Sequence, residues 1–132
     1  MYIQKSPSGA LSPYYYKGGY FHGIHYGSYF EDMDAFTSMM AAEEEFILKS
    51  SEKRRILIDL YETNMTHEVL AGFVGHIERL SPRIIKLAVS AEKDTLKTIR
   101  RALFVGCSLG HGQMYFTPDM EEGKTWLVSD SQ

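Results

Sequence analysis

The sequence predicts an α/β domain with a mostly parallel sheet of four to five strands, covered by helices. Two short, continuous apolar runs, Ile56–Leu60 and Ile84–Val89, are typical of strands that are buried on both faces. Segments with apolar residues at helical spacing alternate with these runs, which gives the order β-β-α-β-α-β-α-β-α. Alternation of this kind implies right-handed crossovers and parallel strands, with only the first strand antiparallel.

The N-terminal part is predicted to hold a leader and then a hairpin. Residues 1–13 contain Ser-Pro and Ser-Gly pairs that favour turns, so we expect a mobile leader followed by a single domain over residues 14–132. Two aromatic-rich runs, Tyr14–Tyr16 and Tyr20–Tyr26, flank Lys17-Gly18-Gly19. This composition predicts two antiparallel strands joined by a tight turn.

The remaining elements follow from apolar periodicity and from residues that begin or end helices. Aspartates and a threonine stand where helix caps are expected, and Ser-Pro follows the second helix. The predicted elements are a helix from Asp32 or Asp34 to Ile47, strand Ile56–Leu60, helix His67–Leu80, strand Ile84–Val89, helix Glu92–Leu103, strand Gln113–Phe116 and helix Asp119–Val128.

Composition narrows the function classes. The 132 residues carry a formal net charge of −3, which argues against a nucleic-acid binder that neutralises phosphates. The sequence has no apolar run long enough to cross a bilayer and no signal-peptide pattern at its start, so we expect a cytoplasmic protein without an integral membrane segment. Its single cysteine, Cys107, agrees with a reducing compartment.

The element order and lengths resemble the STAS domain, the fold of bacterial anti-sigma-factor antagonists and of sulfate-transporter tails. The resemblance covers about residues 14–129. The final predicted helix of the chain looks like the closing helix of STAS-like proteins that are similar to lipid-transfer domains. The resemblance rests on Gly27, on Ile56–Leu60 and the polar loop after it, on Ile84–Ala91, on Ala102-Leu103-Phe104, and on Phe116 followed by the segment 121–127.

This resemblance implies a non-enzymatic regulatory domain that binds a protein partner, such as a regulatory kinase or an anti-sigma-type protein. In the antagonists, the loop before the second helix carries an Asp-Ser-Ser-Gly motif with a phosphorylated serine. This chain has Asn64-Met65-Thr66-His67-Glu68 at that place. The predicted contact surface and candidate phosphoswitch consists of Thr63, Asn64, Thr66, His67 and Glu68.

Thr66 is the candidate for modification, independently of the resemblance. A hydroxyl at a helix N-cap is exposed and lies beside unpaired N–H groups. A phosphate there adds roughly −1.5 to −2 charge at a helix end that tolerates it. The alternative is that Thr66 or Asn64 only caps the helix, and the two roles are compatible.

One segment matches a catalytic motif in its letters but not in its predicted secondary structure. Gly106-Cys107-Ser108-Leu109-Gly110 matches the nucleophile elbow of hydrolases, in which a strand precedes the serine and a helix follows it. Here a helix precedes and a strand follows, so the sequence favours a glycine-rich connecting loop and a non-enzyme. The histidines form no ligand cluster, and neither a metal nor another cofactor is expected.

Three further features leave alternatives open. The basic stripe Lys93, Lys97, Arg100 and Arg101 shares one side of a helix, and it either meets an acidic partner, a phosphate or a membrane, or is simply solvated. Glu43 lies among apolar residues, so with Met39 and Met40 it could line a ligand cavity under the first helix, the mark of a small-molecule or lipid-like carrier. The tyrosine-rich first strands are either core and sheet edge or a homodimer face.

Overall fold

The computed structural model describes residues 3–9 and 11–130, and in them it confirms a mixed α/β fold with a five-stranded, mostly parallel sheet and four α-helices. The strands are β1 (Gln4–Lys5), β2 (Leu11–Ser12), β3 (Tyr14–Tyr16), β4 (Gly19–His25), β5 (Arg54–Asp59), β6 (Ile84–Ser90) and β7 (Met114–Phe116). The helices are α1 (Met33–Leu48), α2 (His67–Leu80), α3 (Lys93–Gly106) and α4 (Met120–Val128).

The main sheet has the strand order β3-β4-β5-β6-β7, which is also the order along the chain. The hairpin β3–β4 is antiparallel, and every later pair in the sheet is parallel, as the sequence predicts. Each right-handed crossover therefore steps in the same direction across the sheet, which places its helix on the same face each time. Accordingly α1 packs beside α2 and α2 beside α3, whereas α4 contacts β4, β5 and β6.

Two apolar clusters fill the space on either side of the sheet. The larger cluster joins the inward faces of α1, α2 and α3 to alternate residues of the strands, with Ile58, Phe73 and Leu103 completely buried. The smaller cluster packs Leu127 and Val128 of α4 against the opposite face. Burial of β5 and β6 on both faces explains why they appear in the sequence as continuous apolar runs rather than as alternating ones.

The N-terminal segment differs from the expected mobile leader. Residues 4–5 and 11–12 pair as the short antiparallel strands β1 and β2. Ser6 and Ser12 are buried, and Ser6 donates a hydrogen bond of 2.8 Å to the Glu43 carboxylate of α1. Polar contacts to a buried acid hold the segment to the domain, and such long-range contacts leave no periodic pattern in the sequence.

In the part of the chain that the structure describes, no helix is both long enough and apolar enough to cross a membrane.

Candidate functional site

The loops that follow β4, β5 and β6 meet at the carboxyl end of the parallel sheet. They surround an open pocket of about 560 Å³, which we call the carboxyl-end pocket. Its lining residues come from the three loops and from the first turns of α3, and they are Phe30, Glu31, Glu62, Thr63, Asn64, Met65, Glu92, Asp94, Thr95 and Thr98.

Backbone hydrogen bonds join the loop after β4 to the loop after β5. The amide of Ser28 donates to the Tyr61 carbonyl at 2.7 Å, and the amide of Phe30 donates to the Glu62 carbonyl at 2.7 Å. In return, the amide of Asn64 donates to the Phe30 carbonyl at 2.8 Å. The two loops therefore extend the pairing of their parent strands and form one preorganised wall of the pocket.

Gly27 allows this close approach of the two loops. A Cβ atom at this position would lie 2.3 Å from Oδ1 of Asp59 and 2.8 Å from the Tyr61 carbonyl oxygen. Both distances are shorter than van der Waals contact, so any larger residue would push the loops apart. The glycine is thus required by the packing of the wall.

The same wall carries backbone strain. Ser28, Phe30 and Glu62 have positive φ values of 64°, 52° and 58°, in the left-handed region that non-glycine residues avoid. Each such residue costs roughly 1–2 kcal/mol. The ring of Phe30 is nevertheless 57% exposed, so its burial does little to offset the strain. These left-handed residues leave no signal in the sequence, because neither serine, phenylalanine nor glutamate is typical of that conformation.

The carboxyl-end pocket is acidic. Glu31 accepts a hydrogen bond of 2.8 Å from the Asn64 side chain, and Glu92 accepts one of 3.0 Å from the Glu62 amide. The carboxylates of Glu62 and Asp94 line the same space. No lysine or arginine is among the lining residues, so the pocket suits a positively charged group that can donate hydrogen bonds.

The structure divides the predicted contact residues into two kinds. Thr63 is buried: its hydroxyl donates to the Tyr26 carbonyl at 2.7 Å and accepts from the Tyr29 amide at 3.1 Å. It therefore stabilises the wall of the pocket that it also lines. Asn64 is exposed at the pocket.

Thr66 is exposed and caps α2, accepting a 3.3 Å hydrogen bond from the Val69 amide. His67 and Glu68 are exposed in the first turn that follows. Thr66 and Glu68 also line a groove between α1 and α2, and the preceding residue, Met65, lines the carboxyl-end pocket. The hydroxyl thus combines the capping contact with an accessible position beside the pocket.

Met39, Met40 and Glu43, the predicted cavity residues, lie in different surroundings. Met40 lines the groove between α1 and α2, and Met39 packs against the larger core cluster. The fully buried Glu43 turns to the N-terminal segment and to β4, where it is paired by Ser6, by the Ser8 amide and by His22. Because its carboxylate is satisfied by these groups, Glu43 does not face the groove that Met40 lines.

Burial of Glu43 works to raise the pKa of its carboxyl group, but the hydrogen bonds from His22 and Ser8 outweigh burial, so the pKa lies below its usual range. The carboxylate is therefore ionised at neutral pH. In the described ranges 3–9 and 11–130, no three His, Cys, Asp or Glu side chains stand close enough to hold a metal ion.

The basic stripe and the glycine-rich loop lie on other surfaces. Lys93, Lys97, Arg100 and Arg101 are all exposed on α3, and Arg100 stacks over the Phe104 ring with 4.8 Å between its guanidinium carbon and the ring centroid. Ser108 donates a hydrogen bond of 2.6 Å to Glu78, whereas His111 stacks on Phe104. The serine and the histidine of the apparent motif thus have different partners.

Comparisons of the chain with protein-family models, with characterised proteins and with solved structures found no match.

Proposed function

We propose that this chain is a STAS-like, non-enzymatic regulatory domain that binds another protein through the carboxyl-end pocket. Phe30 is the observation that carries the proposal, because its exposed ring sits on a strained backbone that the loop after β5 holds in place. Strained, over-determined residues concentrate at ligand clamps and switch regions. A partner that covers the ring supplies the hydrophobic burial that the free domain lacks.

The acidity of the pocket defines the chemistry of the partner. Four carboxylates line the pocket, from Glu31, Glu62, Glu92 and Asp94. A partner segment that carries lysine or arginine beside an apolar residue would pair with these acids and pack on Phe30. The affinity of such an interface falls as the salt concentration rises, because dissolved ions screen exposed charges over a distance of about 10 Å at 0.1 M ionic strength.

Thr66 is the proposed regulatory position. It follows Met65, a lining residue of the carboxyl-end pocket, and its hydroxyl is exposed. A phosphate on this hydroxyl adds negative charge beside a surface that is already acidic. The modification therefore strengthens the attraction for a basic partner, while the positive end of α2 tolerates the charge.

Affinity capture with three matched baits tests the proposed function. The baits are the wild type, Phe30→Gly and Val105→Ala, where Val105 is an 85% exposed residue on α3. Glycine relieves the strain of the positive φ but loses the partial burial of the phenylalanine ring. We therefore expect the free energy of unfolding of Phe30→Gly to lie within about 1 kcal/mol of the wild-type value. We expect a protein that the wild type and Val105→Ala retain equally and that Phe30→Gly retains at least tenfold less.

The retained protein is expected to elute as the salt concentration is raised, and its contact segment is expected to be basic. Equal recovery of the same proteins on all three baits would exclude the carboxyl-end pocket as the contact surface.

A further inference from the structure

A second cavity, distinct from the carboxyl-end pocket, lies at the opposite end of the sheet. It occupies about 280 Å³ between the β3–β4 turn and the residues that enter β5. Three consecutive basic residues stand at this place, and only one carboxylate is among the lining residues. The lining consists of Pro13, Gly18, Gly19, Tyr20, Phe21, His22, Glu52, Lys53, Arg54, Arg55 and Ile85.

Arg54 is the unusual residue of this cavity. Its side chain is only 9% exposed, and the nearest carboxylate oxygen, on the half-exposed Glu52, is 3.7 Å from its Nη2 atom. Its Nη1 atom donates to the neutral Ser12 hydroxyl at 2.7 Å, and its buried Nε atom has no hydrogen-bond partner among the described residues. The guanidinium also lies over the Phe46 ring, with 5.6 Å between its central carbon and the ring centroid. A buried guanidinium without a carboxylate at hydrogen-bond distance is costly.

The neighbouring buried acid, Glu43, makes no direct ion pair with Arg54, because a relay of hydrogen bonds through Ser12 and His22 separates them. Since Arg54 donates to the Ser12 oxygen, the hydroxyl proton is free for Nδ1 of His22, with which Ser12 makes a short contact. In this tautomer Nδ1 of His22 accepts from the Ser12 hydroxyl, and Nε2 carries the ring proton and donates to Glu43 at 3.0 Å.

Ser6 and the Ser8 amide donate to the second oxygen of Glu43, at 2.8 and 2.9 Å. The carboxylate is thus occupied by donors other than Arg54. The cation and the anion stand at opposite ends of the relay, and Arg54 is a lining residue of the cavity.

The cations at the cavity are not equally available to a ligand. Arg55 donates from Nε to the Leu127 carbonyl at 2.9 Å and pairs with Asp130 at 3.1 Å, so its charge is engaged by the C-terminal helix. Lys53 is exposed at the rim. Glu52 stands at the same rim, at a distance too long for a hydrogen bond to Arg54.

We propose that this cavity binds a phosphate-sized oxyanion, either inorganic phosphate or the phosphate group of a small monoester. Arg54 anchors the anion through its guanidinium, which matches phosphate oxygens in geometry and charge. Lys53 adds a second positive charge at the rim. Glu52, whose exposed side chain lies 3.7 Å from Nη2 of Arg54, occupies the approach to Arg54 and moves aside when the anion enters.

The cavity volume supports a small ligand, because about 280 Å³ lies just below the range of roughly 300–1,000 Å³ that holds drug-sized molecules. The site is independent of the proposed protein contact, because none of its lining residues belongs to the carboxyl-end pocket.

A nuclear magnetic resonance titration of the full chain with inorganic phosphate at constant pH and ionic strength tests the proposal. We expect saturable shifts of the Arg54 Nε–H signal and of the Gly18 and Gly19 amides. Glu52→Gln removes the competing carboxylate without touching the core, so we expect phosphate to bind about three- to tenfold more tightly.

Lys53→Gln removes an attractive charge at the rim and is expected to weaken phosphate binding by a similar factor. Lys97→Gln is the matched control, because it removes one positive charge from the exposed face of α3, and it is expected to leave the affinity unchanged. A parallel titration with glycerol phosphate distinguishes the sources: tighter binding than phosphate identifies a monoester ligand, and equal binding identifies the free anion.

Absence of saturable shifts with both probes would overturn the proposal. Equal weakening by Lys53→Gln and Lys97→Gln would also overturn it, since phosphate would then respond only to net charge. No gain from Glu52→Gln would overturn it as well, since phosphate would then bind away from the approach to Arg54 that Glu52 occupies.

Discussion

At the residue scale, a buried chain of hydrogen bonds fixes the charge state of His76. The Tyr26 hydroxyl donates to Nε2 of His76 at 2.9 Å, and Nδ1 of His76 donates to Glu44 at 2.8 Å. Arg79 holds the same carboxylate through its Nε atom at 2.9 and 3.0 Å. Burial lowers the pKa of His76 and outweighs the opposing effect of Glu44, so the imidazole is neutral in the folded protein at pH 7.

This low pKa of His76 predicts a loss of stability in mild acid. The unfolded chain binds a proton near the ordinary pKa of about 6.5, whereas the folded chain binds it only at lower pH. Stability is therefore complete above about pH 6.5 and decreases as the pH falls below it, by at most about 1.4 kcal/mol per pH unit from this group. Urea unfolding at several pH values between 5.5 and 7.5 measures this slope.

His76→Gln is the matched variant for the pH measurement, since glutamine does not titrate. Its unfolding free energy is expected to depend less on pH over this range than that of the wild type. Parallel slopes for the two proteins would show that His76 is not the group responsible.

Sequence reasoning recognised one buried polar residue and missed others. Glu43 was predictable, because an acid inside the apolar arc of a helix must be paired or face a cavity. His22 and His76 gave no such signal, because histidine is common both at the surface and in cores. Their partners lie on other elements, such as Tyr26 on the loop after β4 for His76, and sequence patterns do not show which elements meet.

At the scale of single elements, the best-predicted unit is α2. Its observed range, His67–Leu80, equals the predicted one, because a capping threonine marks its start and Ser81-Pro82 marks its end. The strands β1 and β2 were not predicted, since two-residue strands have no periodicity. Helix α3 continues to Gly106, beyond the predicted end at Leu103, with the exposed Val105 in its last turn.

Variants of Thr66 separate its role as a cap from its role as a carrier of charge. Thr66→Ala removes the acceptor for the Val69 amide and is expected to lower the free energy of unfolding by about 1 kcal/mol. Thr66→Ser keeps the hydroxyl acceptor and is expected to keep the stability of the wild type. Thr66→Glu loses the same cap but adds a charge that the helix dipole favours by roughly 0.3–1 kcal/mol. It is therefore expected to be more stable than Thr66→Ala in denaturant unfolding.

In binding to the captured partner at low salt, Thr66→Glu is expected to be roughly two- to fivefold tighter than Thr66→Ala, and the difference is expected to vanish at high salt. Equal affinities of the two variants at low salt would exclude a role of Thr66 in partner binding and would show that it serves only as the helix cap.

At the scale of the whole molecule, the fold separates three surfaces. The carboxyl end of the sheet presents the acidic pocket with Phe30, the outer face of α3 presents the basic stripe, and the edge hairpin presents Tyr14, Tyr15 and Tyr20. The strand order follows the chain order without reversal, so the loops that line the carboxyl-end pocket follow consecutive strands of the sheet.

Alternating apolar runs and helical segments were enough to predict this architecture. The joined loops were not predictable, because their hydrogen bonds connect residues more than 30 positions apart, as in the Ser28–Tyr61 pair. Thr63 illustrates the consequence, because its hydroxyl donates to the Tyr26 carbonyl and accepts from the Tyr29 amide of the neighbouring loop.

Hydroxyl-radical footprinting of the domain, free and bound to the captured partner, tests the central claim most directly. Phe30 and Tyr15 are similarly exposed aromatic residues, at 57% and 59%, on the carboxyl-end pocket and on the edge strand β3. We expect oxidation of Phe30 to fall strongly in the complex while oxidation of Tyr15 is unchanged. Unchanged oxidation of Phe30, with protection at Tyr15 or on α3, would contradict the assignment of the carboxyl-end pocket as the contact surface.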